Sequence, residues 1–223
     1  MRRWIYLAAA GAVALVLSYC VSQPEASARK GAPAGNFDFF VLSLAWSPSY
    51  CEAEGEDASA SQCDVRKDYA FIVHGFWPQY ENGYPEYCAS REPERVSREL
   101  VASVADIMPS AGLVGHQWRK HGSCTGLSQA GYLKATRAAF ERIEIPGAFA
   151  SAERARRVDP DDAERAFLDA NPGMAEDGIT IACSDGRLSE VRICLTRDLE
   201  FRSCPDLDSR ECRRANLSLP AAP

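Results

Sequence analysis

GITIACSDGRLSEVRICL, residues 178–195, decides the fold class. GITIAC and LSEVRICL are both β-prone, and the turn formers Ser184, Asp185 and Gly186 separate them, so the segment predicts a β-hairpin. Upstream, FDFFVLSLAW at 37–46 has the aromatic and apolar density of a buried strand that ends at Ser47 and Pro48, and the acidic, small-residue-rich segment from Cys51 to Cys63 reads as a surface loop. YAFIV at 69–73 predicts a second buried strand delivering His74 at its end. Between these strands and the hairpin the apolar spacing turns helical. Val96, Leu100, Val104 and Ile107 predict a helix over 93–108 stopped by Pro109. Ser128 can cap a second helix carrying Leu133, Ala135, Ala139 and Phe140, and Asp159 followed by Pro160 starts a third that ends near Asn171 and Pro172. Strands, then helices, then strands again, without a regular βαβ alternation, argue for an α+β fold rather than a doubly wound one.

The ends of the chain bear on compartment. Arg2 and Arg3 precede an apolar run from Trp4 to Leu17 and a polar stretch ending in Ala26, Ser27 and Ala28, which reads as an export signal over residues 1–28. That run is short for a membrane span and no later segment approaches one, so no span is expected. A second reading makes Cys20 the acylated first residue of a lipoprotein; Tyr19 argues against it, because that signal wants a small residue before the cysteine. Of the nine cysteines, eight follow residue 28, an even number that fits four disulfides in a periplasm or outside the cell. Their spacing does not choose among the possible pairings. It also leaves no obvious free thiol for a cysteine hydrolase. Residues 29–36 are polar with Gly and Pro, a short flexible lead-in, and 37–223 read as one domain.

Charge narrows the partners. The chain carries 25 basic and 31 acidic residues, net −6, and losing Arg2, Arg3 and Glu25 leaves 23 against 30, net −7. Such acidity disfavours the long basic footprint of a duplex binder but leaves room for a small phosphate site.

The three histidines lie in two short segments, FIVHGFWPQY around His74 and GHQWRKHGSC around His116 and His121. Imidazole titrates near neutrality, so His74 and His121 can serve as base and acid in one reaction, with Lys120 to stabilise an anionic transition state. RNA carries its own nucleophile, the 2′-hydroxyl. Its cleavage without a metal needs a base, an acid and a cation, the roles this trio covers. Metal binding competes as a reading, but no His-x-x-x-His spacing or acidic cluster joins these residues, so no metal or other cofactor is expected.

HGFWP and HQWRKHGSC resemble the two active-site segments of the ribonuclease T2 family, acid endoribonucleases of exported compartments. FDFFVLSLAWSPSYC resembles the family's first core strand, and ANPG followed by GITIACSDGRLSEVRICL its closing hairpin, so the likeness spans most of residues 37–204. The resemblance implies a central, largely antiparallel sheet with packed helices, stabilised by disulfides. It also implies metal-free transesterification of single-stranded RNA to 2′,3′-cyclic phosphates, then slower hydrolysis to 3′-phosphates, by a monomer.

Carried over by motif position, His121 is the base of the first step and His74 the acid, His116 binds phosphate, and Lys120 stabilises the pentacovalent state. Gln117 stands where the family usually has Glu; it can donate a hydrogen bond to a phosphorane oxygen but cannot act as a carboxylate. Trp77 and Tyr84 resemble the aromatics that stack on a base, packing being the alternative for each. Gln79 stands where some members carry an Asp that reads the base edge, and Leu113 where many place an aromatic near the second base. Trp118 reads as packing. The implied disulfides are Cys51–Cys63, Cys88–Cys124, Cys183–Cys212 and Cys194–Cys204, the second bracing both halves of the site. Gln117 and Leu113 also prompt an alternative, a catalytically weakened or inactive relative acting as an RNA-binding or protein-interaction module.

Overall fold

The computed structural model describes residues 28–64, 66–208, 212 and 214–222, so the export signal, apart from Ala28, and the lipoprotein reading of Cys20 lie outside the described residues. In chain order the elements are β1 (Ala28–Lys30), β2 (Phe39–Trp46), α1 (Ser47–Glu54), β3 (Phe71–Gln79), β4 (Tyr84–Glu86), α2 (Arg98–Ala102) and α3 (Ala111–Lys120). Then follow α4 (Gln129–Glu141), β5 (Arg156–Val158), α5 (Pro160–Ala170), β6 (Ile179–Ser184), β7 (Arg187–Leu195), α6 (Pro205–Asp208) and β8 (Leu217–Leu219).

The predicted hairpin is β6 and β7, paired antiparallel. Its turn has Asp185 and Gly186 both at positive φ, 49° and 77°, the arrangement Asp-Gly accepts most readily and the one whose twist matches the strands. β2 lies antiparallel between β3 and β7, so the sheet runs β3-β2-β7-β6, and the short β8 and β5 extend it beside the start of β7. The architecture is α+β with a largely antiparallel central sheet, as expected.

β2 is buried on both faces, and its two faces do different things. Phe40, Leu42, Leu44 and Trp46 belong to the main core with Phe71, Phe76, Ile181 and Val191, closed by Tyr132 and Leu133 of α4 and Phe167 of α5. Burying each such large apolar side chain contributes about 1.5–3 kcal/mol. Phe39 and Val41 point to the opposite face, into a smaller cluster with Cys194 and Cys204, against which Trp77 packs. The candidate site residues His74 and Trp77 line a hollow on this second face with Val41.

The helix starts at Ser128 and Asp159 appear where predicted, Ser128 Oγ accepting from the Gly131 N–H at 3.1 Å and Asp159 Oδ1 from that of Asp161 at 3.2 Å. Three local expectations change. The strand does end before Ser47 and Pro48, but these two open α1, which takes in the first residues of the expected loop, with Pro in the first turn, where its missing N–H is not needed. The helix expected over 93–108 contracts to α2, capped by Ser97; the chain turns beyond Ala102, and the Ile107 carbonyl accepts the Val73 N–H of β3 at 2.8 Å. The lead-in is not loose throughout: Ala28–Lys30 pair in parallel with β4. The four disulfides are those the resemblance implied. Among the described residues no helix is long and apolar enough to cross a membrane.

Candidate active site

His74 does not end a strand. In the β2–β3 ladder Ser43 pairs with Gly75 and Leu44 with Val73, so His74 is the extra residue of a β-bulge within β3. Such a bulge breaks the alternation of the strand and re-aims a side chain. Val73 and Phe76 both remain in the core while His74 faces the second side of the sheet, half-buried.

There it meets a residue that the sequence did not mark. His74 Nδ1 lies 2.5 Å from Glu190 Oε1, across two strands and 116 residues of sequence. Glu190 Oε2 accepts from Ser43 Oγ at 2.9 Å and from Arg192 Nε at 2.8 Å. Burial alone would raise the Glu190 carboxyl, but the hydrogen bond and charge of His74, together with Arg192, outweigh it and hold the group at about 2. Glu190 is therefore a carboxylate across the working range and can only accept, which fixes the proton on His74 Nδ1 and turns Nε2 toward the cleft. The available signal was the alternation in LSEVRICL: Glu190 and Arg192 interleave with core Val191 and Ile193, and Ser43 interrupts an otherwise apolar β2.

α3 delivers the second segment. Val114 and Trp118 anchor it in the core, the Trp118 indole N–H donating to the Pro93 carbonyl at 2.9 Å, so Trp118 packs as expected. The helix ends at Lys120, and His121 forms its C-terminal cap with only 6% of its surface exposed. Burial first, and then the charges of Lys120, His116 and His74, push His121 down to about 3. Its Nδ1 is buried without a hydrogen-bond partner. His116, on the exposed side of α3, is lowered by desolvation and then by Lys120, Arg119 and His74. Lys120 Nζ sits 3.9 Å from Glu86 of β4, and the Cys88–Cys124 disulfide closes the same corner.

Gln117 is buried, 2% exposed, and its Oε1 accepts the Trp77 indole N–H at 2.8 Å. That leaves its amide N–H groups, not an acceptor, for the cleft it lines. Gly75 makes the contact possible: a Cβ there would overlap the Trp77 indole nitrogen and come within 2.5 Å of Gln117 Oε1. Trp77 is thus held by Gln117 as well as placed beside both catalytic candidates, its ring centroid 5.6 Å from that of His74 and 5.5 Å from that of His121. Tyr84 stands farther off, 6.5 Å from His121, and Gln79 donates to the Pro78 carbonyl at 3.0 Å.

All the sequence-predicted site residues converge. A hollow of about 340 Å³ is lined by His74, Trp77, Gln79, Tyr84, His116, Gln117, Lys120 and His121, with the unpredicted Arg192. A second hollow of about 490 Å³ opens on the other side of His74 and His116 and contains Leu113 and Glu190. His74 and His116 therefore stand where two adjoining hollows meet, with His121 lining the first of them, as a substrate with a unit on each side of the reacting bond would require. Among the described residues no group of three or more His, Cys, Asp or Glu is arranged to hold a metal ion.

Comparison with known proteins bears on the family and the fold. The model of the Ribonuclease T2 family matches residues 37–204. A ribonuclease of Aeromonas hydrophila is 33% identical over 169 residues, covering 74% of each chain. Among solved structures, an RNase-related protein from Calystegia sepium superposes with a TM-score of 0.65 at 18% identity, covering 84% of this chain and 99% of its own. RNase NT in complex with 5′-AMP gives 0.62 at 22% identity, covering 83% and 99%.

Proposed function

The chain belongs to the ribonuclease T2 family, and from that membership we propose an exported endoribonuclease that cleaves single-stranded RNA by transesterification and then hydrolysis. The observation that carries the mechanism is the opposed environments of the two histidines. His121 is desolvated among cations and stays neutral, as a base must be, whereas His74 has an ionised carboxylate on Nδ1, which partners the imidazolium that an acid must be.

In the first step His121 takes the proton of the ribose 2′-hydroxyl as its oxygen bonds to phosphorus. The P–O5′ bond breaks, and His74 Nε2 gives its proton to the departing oxygen. Lys120 and the Gln117 amide N–H groups stabilise the charge on the equatorial oxygens, and His116 holds phosphate. The negative phosphodiester also raises the proton affinity of His121 while it is bound, which offsets the desolvation that weakens it as a base. In the second step water opens the cyclic phosphate with the two histidines in exchanged roles. An amide at position 117 suits this scheme, since the position acts as a donor and transfers no proton. Four disulfides support an oxidising compartment.

The purified protein, incubated with RNA in chelator at mildly acidic pH, should yield 2′,3′-cyclic ends that convert to 3′-phosphates. His74→Ala and His121→Ala should each nearly abolish cleavage. Folded, oxidised protein that generates no cyclic ends would overturn the reading in favour of a binding module.

A further inference from the structure

Beside the site, α2 and α3 enclose a groove of about 700 Å³. It shares Gly112 with the hollow that holds His74, His116 and Leu113, so the two adjoin at the start of α3. Its floor is small, with Ala102, Ala111, Gly112 and Gly115, which leaves backbone-level depth along the helix. Its charged lining is Arg95, Arg98 and Arg119 against one carboxylate, Glu94. Among the described residues none of these three arginines forms an ion pair, and all three are exposed. Arg119 does not extend straight into solvent: a Cβ on Gly115 would lie 3.2 Å from its Nη1, so the guanidinium folds back along α3 over the groove. Its field also reaches the site, as one of the charges that lower His116.

A surplus of unpaired guanidinium groups in a chain of net charge −6 is a local exception with a direction. Guanidinium groups suit phosphate oxygens by geometry as well as charge. A strand whose reacting bond lies at His74 and His116 can cross the Leu113 hollow and continue over Gly112 among the three arginines. We propose that this groove is an extended RNA-binding track, in which Arg95, Arg98 and Arg119 hold backbone phosphates of nucleotides beyond the two that flank the cleaved bond. The inference rests on the ribonuclease reading above, and it assigns the protein a preference for long chains over the smallest cleavable substrate.

The test compares the wild type with a double variant, Arg95→Ser, Arg98→Ser, which leaves Arg119 and its field on His116 in place, and with the corresponding double Lys variant. Substrates are a dinucleoside monophosphate and oligonucleotides of about a dozen units with one cleavable ribose, the remaining sugars deoxy, and the tail on one side or the other. The Ser variant should cleave the dinucleotide at the wild-type rate and lose roughly ten- to a hundredfold in kcat/KM on the oligonucleotide with its tail on the groove side at low salt. The slope of log kcat/KM against log salt should flatten by about 1.4, two phosphates at about 0.7 each, and the Lys variant should recover most of the loss. Unchanged kinetics on both tails would overturn the track, as would an equal loss on dinucleotide and oligonucleotide. Failure of the wild type to cleave even the dinucleotide would instead strike the ribonuclease reading itself.

Discussion

Glu190→Gln separates a positioning carboxylate from a merely structural one. The substitution keeps the side chain's shape but replaces one oxygen by an NH₂ group. Oε2 accepts from Arg192 Nε at 2.8 Å and Ser43 Oγ at 2.9 Å, and a guanidinium can only donate, so the amide oxygen must stay on that side. The NH₂ then faces His74 Nδ1, where the carboxylate oxygen stood at 2.5 Å. Two donors now oppose each other whenever His74 is an imidazolium, the form needed to protonate a leaving oxygen. Losing a charge-assisted hydrogen bond costs about 1.5–3 kcal/mol, which corresponds to roughly ten- to a hundredfold or slightly more in rate. The assay is kcat/KM on a dinucleoside monophosphate, whose alkoxide leaving group needs a proton, beside a nucleoside 3′-(4-nitrophenyl phosphate), whose leaving group does not. The loss should appear on the first substrate and largely vanish on the second, while thermal unfolding at neutral pH changes little because Arg192 and Ser43 keep their acceptor. An equal loss on both substrates, or none on the dinucleotide, would refute the assignment of His74 as the acid held by Glu190.

Two further outcomes follow from the same geometry. His121 is held at about 3, far below the ordinary histidine value of 6.5, so between those pH values the unfolded chain binds a proton that the folded chain does not. Its contribution is therefore present above 6.5 and is lost as pH falls toward 3, by up to about 1.4 kcal/mol per pH unit, and urea unfolding of His121→Gln across that window should lack this part of the slope. Gly75→Ala forces a methyl against the Trp77–Gln117 hydrogen bond, an overpacking that costs about 1–3 kcal/mol; calorimetry should show the lower melting temperature, with a loss of RNA cleavage larger than the stability change explains.

Local chemistry was legible where the local chain decides the outcome. Ser128 and Asp159 cap helices because the groups they satisfy are two or three residues away, and Asp185-Gly186 turns the hairpin because both residues tolerate positive φ. α1 was misread because an acidic, small-residue segment looks like a loop, although Pro48 in the first turn was a usable start signal. The turn that replaces the end of the helix expected over 93–108 was not readable, since the group that binds the Ile107 carbonyl is the N–H of Val73, on a strand distant in sequence.

The sequence by itself determined the α+β class and the chemical kinds at the site: two histidines able to exchange protons, a lysine, and an amide at position 117. Only the tertiary structure gives the two histidines unequal surroundings. That distinction comes from a bulge that re-aims His74, a carboxylate 116 residues away that holds it, and the burial that keeps His121 neutral. Proton affinity is set by solvent exclusion and by charges a few ångströms away, and neither can be read from neighbours along the chain when the strands that supply them meet only on folding.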